Sequence, residues 1–112
     1  MTVTPSDMPS AVALDVIDLA AYQPGAIVSR ALLKRPGGTI TLFAFDAGEA
    51  LSEHTAPFDA LVQVLDGAAD ITVAGVRLHV AAGQSVLLPA HQPHAVSASV
   101  RFKMLLTMIR SG

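Results

Sequence analysis

The feature that most constrains this chain is its punctuation. Gly25, Pro36-Gly37-Gly38, Gly48, Pro57, Asp66-Gly67, Gly75, Gly83, Pro89 and Pro93 interrupt it at short intervals. Globular helices average about 11–12 residues. No piece between these breaks offers that length with clean helical period. Ala11–Tyr22 comes nearest, but Asp15 and Asp18 leave it ambiguous. Short apolar pieces between evenly spaced turns read as an all-β sandwich or barrel.

Alternation supplies the strands. Ile27–Lys34, Thr39–Phe45, Ala60–Leu65, Ala69–Ala74, Val76–Val80, Gln84–Leu88, His94–Ser99 and Phe102–Ile109 all carry β-forming residues between turn signals. Ala60–Leu65 is almost wholly apolar, which predicts cover on both faces. Asp66-Gly67 reads as a hairpin-type turn and Ala74-Gly75 as a second turn. Val76, Leu78 and Val80 are expected to face inward, with Arg77 and His79 outward. Phe102, Met104, Leu106 and Met108 share one face. Residues 1–9 are expected to be loose and 10–112 to form one domain.

Composition narrows the function classes. Only 14% of the 112 residues are charged, against about 25% in average soluble domains. Such a chain lines an apolar cavity or covers a subunit interface, where charge is depleted. No apolar run approaches the roughly 20 residues of a membrane helix. A net charge of −2 and the absence of a basic cluster argue against nucleic acid as a partner. There is no cysteine, so thiol nucleophiles and disulfides are excluded. The polar, proline-containing start is unlike a secretory signal, and the expected address is cytoplasmic. No G-x-S-x-G elbow, dinucleotide fingerprint or Walker loop is present.

The chemistry therefore rests on histidines. His54 follows Gly48, and His91 and His94 follow Gly83 and Pro89. With Gly48, His54, Ala56, Ala60 and Gly67, then Gly83, Pro89, His91, His94 and Ala98, the chain resembles the cupin family. The two motifs of that family run G-x5-H-x-H-x3,4-E-x6-G and G-x5-P-x-G-x2-H-x3-N. The spacing is kept throughout. The resemblance implies a single cupin-type jelly-roll β-barrel. It also implies a divalent transition metal held by three histidines and a glutamate, and often a homodimer.

The departures are specific. Ala56 and Ala60 stand at two of the four ligand positions, leaving His54 and His94, and a methyl group has no lone pair to donate. His91 replaces a motif glycine. By strand parity Gln63 faces away from the barrel, and Asp59 lies beside the lost glutamate position with the wrong parity. The expected function is small-molecule binding in an apolar pocket of His54, His91, His94, Ala56, Ala60, Val62, Phe43, Phe45 and Met104, with Val64 and Met108 in the same wall. The alternative is a metal-dependent enzyme of dioxygenase, isomerase or decarboxylase type on a two-histidine site.

Overall fold

The structure, a computed structural model, describes residues 7–110. After a short 3-10 helix at Val16–Leu19, the described residues form nine strands: β1 (Ile27–Arg35), β2 (Gly38–Phe45), β3 (Ala50–His54), β4 (Phe58–Asp66), β5 (Ala68–Val73), β6 (Val76–Ala81), β7 (Ser85–Leu88), β8 (His94–Ser97) and β9 (Phe102–Arg110). They form two antiparallel sheets. One has five strands in the order β1-β2-β9-β4-β7, and the other four in the order β3-β8-β5-β6. The all-β expectation holds, and Ala11–Tyr22 contributes only the single 3-10 turn.

Register explains where the core sits. On the inner face of the five-stranded sheet, side chains line up in rows across the strands: Ile27, Phe45 and Phe102; Ser29, Phe43, Met104 and Val64; Ala31, Thr41, Leu106, Val62 and Val86; then Lys34, Thr39, Met108, Ala60 and Leu88. The first rows are closed off by the second sheet, and Phe45 stacks on Phe102 with ring centroids 4.5 Å apart. Phe45, Val62, Val64, Phe102 and Met104 are buried, together with Ala69, Ile71, Val80 and Val96 of the opposite sheet. Burying each large side chain is worth roughly 1.5–3 kcal/mol.

The outer face of the same sheet is covered at one end only. Val16, Leu19, Ala20 and Tyr22 lie over Leu32, Leu42, Ala44 and Leu105. The Tyr22 hydroxyl donates to Asp66 at 2.6 Å, and Lys103 Nζ donates to the Ile17 carbonyl at 2.7 Å. Burial and the Asp66 carboxylate push the Tyr22 phenol well above its ordinary range. Of the expected loose segment 1–9, residues 1–6 lie outside the described part. Asp7 and Met8 are tied down, by a 2.9 Å ion pair to Arg35 and a bond from the Met8 N–H to the Leu32 carbonyl.

Three expectations need correction. Asp66-Gly67 is not a hairpin: β4 and β5 belong to different sheets, so it is the corner between them. Gly67 has φ +69°, and a Cβ there would collide with the Arg101 carbonyl, so the corner requires glycine on two grounds. Ala74-Gly75 is the true two-residue hairpin, with both residues at positive φ and Val73 opposite Val76. Of Val76, Leu78 and Val80 only Val80 is buried, and β6 is an edge strand of its sheet. Ala60–Leu65 is covered on its inner face, but Leu61 on the other side remains exposed.

Candidate functional site

The two halves of the motif pattern meet in space. β3 ends at His54 and β8 begins at His94, and the two residues are register partners. Their rings meet edge to face with centroids 4.4 Å apart and Nε2 atoms 3.1 Å apart. Each Nδ1 faces a carbonyl two residues back, Ser52 at 2.8 Å for His54 and Gln92 at 3.2 Å for His94. A carbonyl only accepts, so both Nδ1 atoms carry the proton in the neutral rings. Both Nε2 atoms then present lone pairs toward each other. Such a pair calls for a shared proton, a ligand O–H or N–H, or a metal ion. Burial is the main effect holding His94 below the usual histidine range; the nearby His54 adds to it, and the Gln92 carbonyl opposes it.

Beneath the pair lies a cavity of about 70 Å³, and its wall is mostly apolar. Ala56, Ala60, Val62 and Met104 line it together with His54 and His94, where the sequence places them; Met108 lines it too. Leu51, Phe58, Leu88, Val96 and Leu106 complete the lining. Phe58 is legible from its parity with Ala60 and Val62. Leu88 and Val96 arrive from other strands by register, for which the sequence offers no local signal.

Other expected site residues stand elsewhere. Phe43, Phe45 and Val64 are on the inner face, as parity requires, but lie toward the closed end and pack in the core rather than on the cavity. His91 is exposed, in a turn outside the lining. Its φ is +67°, which explains why the motif has glycine there, and its N–H donates to the Ala56 carbonyl at 2.8 Å. Asp59 does not reach the pair; its Oδ1 accepts from the Ala90 N–H at 2.9 Å and pins that turn. His79 lies on the outer surface beside Asp70, with Nδ1 3.0 Å from Oδ1, and that contact is the leading effect holding the Asp70 carboxyl below its ordinary range.

The metal that the resemblance implies needs three histidines and a glutamate converging on one point. Among the described residues no three His, Cys, Asp or Glu side chains converge. Positions 56 and 60 present methyl groups to the cavity. The three-histidine, one-glutamate centre does not fit this chain, and only the pair of imidazoles remains.

The family model of the Cupin domain matches residues 41–109. A conserved protein of unknown function from Streptococcus pyogenes is 34% identical, with 95% of this chain and 93% of that chain covered at a TM-score of 0.89. A cupin superfamily protein from Desulfitobacterium hafniense is 30% identical, with 94% and 96% covered at 0.88. A cupin 2 conserved barrel domain protein from Leptotrichia buccalis is 42% identical at 0.84; 87% of this chain matches 47% of that one. No curated protein matches. No helix among the described residues is long and apolar enough to cross a membrane.

Proposed function

The chain belongs to the cupin family, and on that premise we propose that it binds a small organic molecule in the barrel cavity, with the His54–His94 pair as its polar anchor. The observation that carries this reading is the pair itself, two Nε2 atoms 3.1 Å apart above an apolar cavity. Pockets for small molecules are mostly apolar with a few placed polar groups. A ligand hydroxyl or amide N–H donates to the imidazoles, and its apolar part enters between Val62, Leu88 and Met104. Size limits the guest. A cavity of about 150 Å³ holds benzene, and this one is about 70 Å³. A group of a few heavy atoms fits as it stands; a ring requires the adaptable Met104 and Met108 to move.

The test is thermal denaturation with a panel of short alcohols, diols and amides. At 100 times Kd a ligand adds about 2.7 kcal/mol of stability. The expected result is a raised melting temperature with at least one class, lost in the His54→Ala, His94→Ala double variant. A shift that survives the double variant refutes the anchor.

The second reading, a metal-dependent enzyme on a two-histidine site, draws on the same atoms, since the two Nε2 nitrogens converge. Two protein ligands are fewer than the three that catalytic zinc sites keep, which places this reading second. Elemental analysis after anaerobic purification decides between them: stoichiometric metal that disappears in the double variant favours the enzyme.

A homodimer is part of the proposal, with a second copy on the outer face of the five-stranded sheet. Leu33, Ile40, Thr107, Leu61 and Leu87 form one row across all five strands of that face, with Ile109 beside it. Leu87 and Ile109 are 61% and 60% exposed. Adjacent strands lie about 4.8 Å apart, so the row is roughly 19 Å wide. A two-fold dimer uses the same patch on both copies, so this row would pack on its own counterpart. Light scattering is expected to give a dimer that Leu61→Lys with Leu87→Lys dissociates. A wild-type monomer at micromolar concentration overturns it.

A further inference from the structure

The inner face of the five-stranded sheet changes character along its length. It begins with stacked phenylalanines and ends, past Met108, in two cations. Lys34 shares an inner row with Thr39 and Met108, and Arg110 is the register partner of Phe58 one step further out. These five residues, with Arg35, Pro36 and Gly38, line an open groove of about 400 Å³. Phe58 and Met108 also line the barrel cavity, so the groove adjoins it.

Two observations point to a ligand. The first is unbalanced charge. Arg35 is neutralised by Asp7, but neither Lys34 nor Arg110 forms an ion pair among the described residues. The Arg110 guanidinium only overlooks the Phe58 ring, 6.0 Å from its centroid. The second is a buried polar orphan. The Thr39 hydroxyl is screened from solvent and has no hydrogen-bond partner, the only such side-chain atom among the described residues. A buried hydroxyl without a partner costs stability, and nothing among the described residues offsets it.

We propose that this groove is an anion-binding site at the rim of the barrel, taking the carboxylate or phosphate of a small organic acid between Lys34 and Arg110, with a turn of the Thr39 side chain bringing its screened hydroxyl out to the ligand. The apolar body of that acid lies on Phe58 and Met108. A planar guanidinium suits either head group in bidentate fashion, and the ammonium adds a second charge. The site adds a charge requirement to the cavity reading above and rests on that reading only where the ligand's body reaches past Met108.

The probes are phenylacetate and phenyl phosphate, with neutral phenylacetamide as control, titrated calorimetrically into the whole chain. The anions are expected to bind, more weakly at high salt, and the amide to bind at least tenfold more weakly than either. Arg110→Gln and Lys34→Gln each lower affinity about tenfold. Both side chains are exposed, so folding is retained, and circular dichroism checks it. Thr39→Val gives an independent signature: weaker anion binding together with an unchanged or raised melting temperature. Equal binding of the amide, or anion binding indifferent to Arg110→Gln and Lys34→Gln, overturns the proposal. The His54→Ala, His94→Ala variant separates the two readings: anion binding that it leaves intact keeps the rim site even where the histidine anchor fails.

Discussion

The two faces of the five-stranded sheet carry similar side chains and put them to different uses. On the inner face Phe45, Val62, Val64, Phe102 and Met104 are all sealed by the second sheet. On the outer face Leu32, Leu42 and Ala44 are sealed by the segment from Val16 to Tyr22, but Leu33, Leu61, Leu87 and Ile109 are not. The same alternation produces both. What differs is the cover, and cover is supplied by chain that is distant in sequence. An apolar residue therefore counts toward the stability of this chain only where a second layer reaches it.

The largest effect that tests this contrast is a deletion on each face. Phe102→Ala is expected to cost about 3–5 kcal/mol in chemical denaturation, the range for a large aromatic lost from a packed core. Leu87→Ala on the outer face should stay within about 0.5 kcal/mol under conditions where the chain is monomeric. Similar losses at both positions would show that the outer row is covered within one chain. Next comes the tie that holds the outer cover in place. Tyr22→Phe removes the hydroxyl that meets Asp66 and leaves the ring, so a loss of about 0.5–1.5 kcal/mol is expected.

Smaller effects concern the site end of the barrel. His91→Gly relieves a left-handed residue at φ +67°. It should stabilise by roughly 0.5–1 kcal/mol, the left-handed cost of about 1–2 kcal/mol being offset by the freer unfolded glycine. The pH dependence is the finest probe. The folded chain holds His94 below the ordinary histidine value near 6.5, chiefly through burial. The unfolded chain therefore binds the proton more readily. The contribution is complete above about pH 6.5 and is lost as pH falls toward and through the lower folded value. Melting temperatures recorded from pH 7.5 to 5 should decline, and His94→Gln should flatten the decline. An unchanged slope in that variant would assign the dependence to other groups.

How much was legible follows from the same contrast. Turn residues and alternation marked eight of the nine strands, because both are local consequences of backbone sterics and a period of two. β3 escaped: in Ala-Leu-Ser-Glu-His only Leu51 packs against the core, so the strand carries no alternation to read. Spacing brought His54 and His94 to the site, yet said nothing of Leu88 or Val96, which reach it by register. Parity placed Phe43 and Phe45 on the correct face but not at the correct height, since a period of two has no depth. Nor could Asp66-Gly67 reveal which sheet its two strands would join, because a reversal of the chain looks the same in either case.

By itself, then, the sequence determined the strands, the faces and the identity of the two surviving histidines. These depend on neighbours within a few residues and on motif spacing. The tertiary structure decided which apolar faces are covered, how deep each inner residue lies, and that Lys34, Thr39 and Arg110 gather at one rim. Those outcomes come from pairing the β1–β2 hairpin with β9, which lies far along the chain and is joined to it by backbone hydrogen bonds whose register no local pattern encodes.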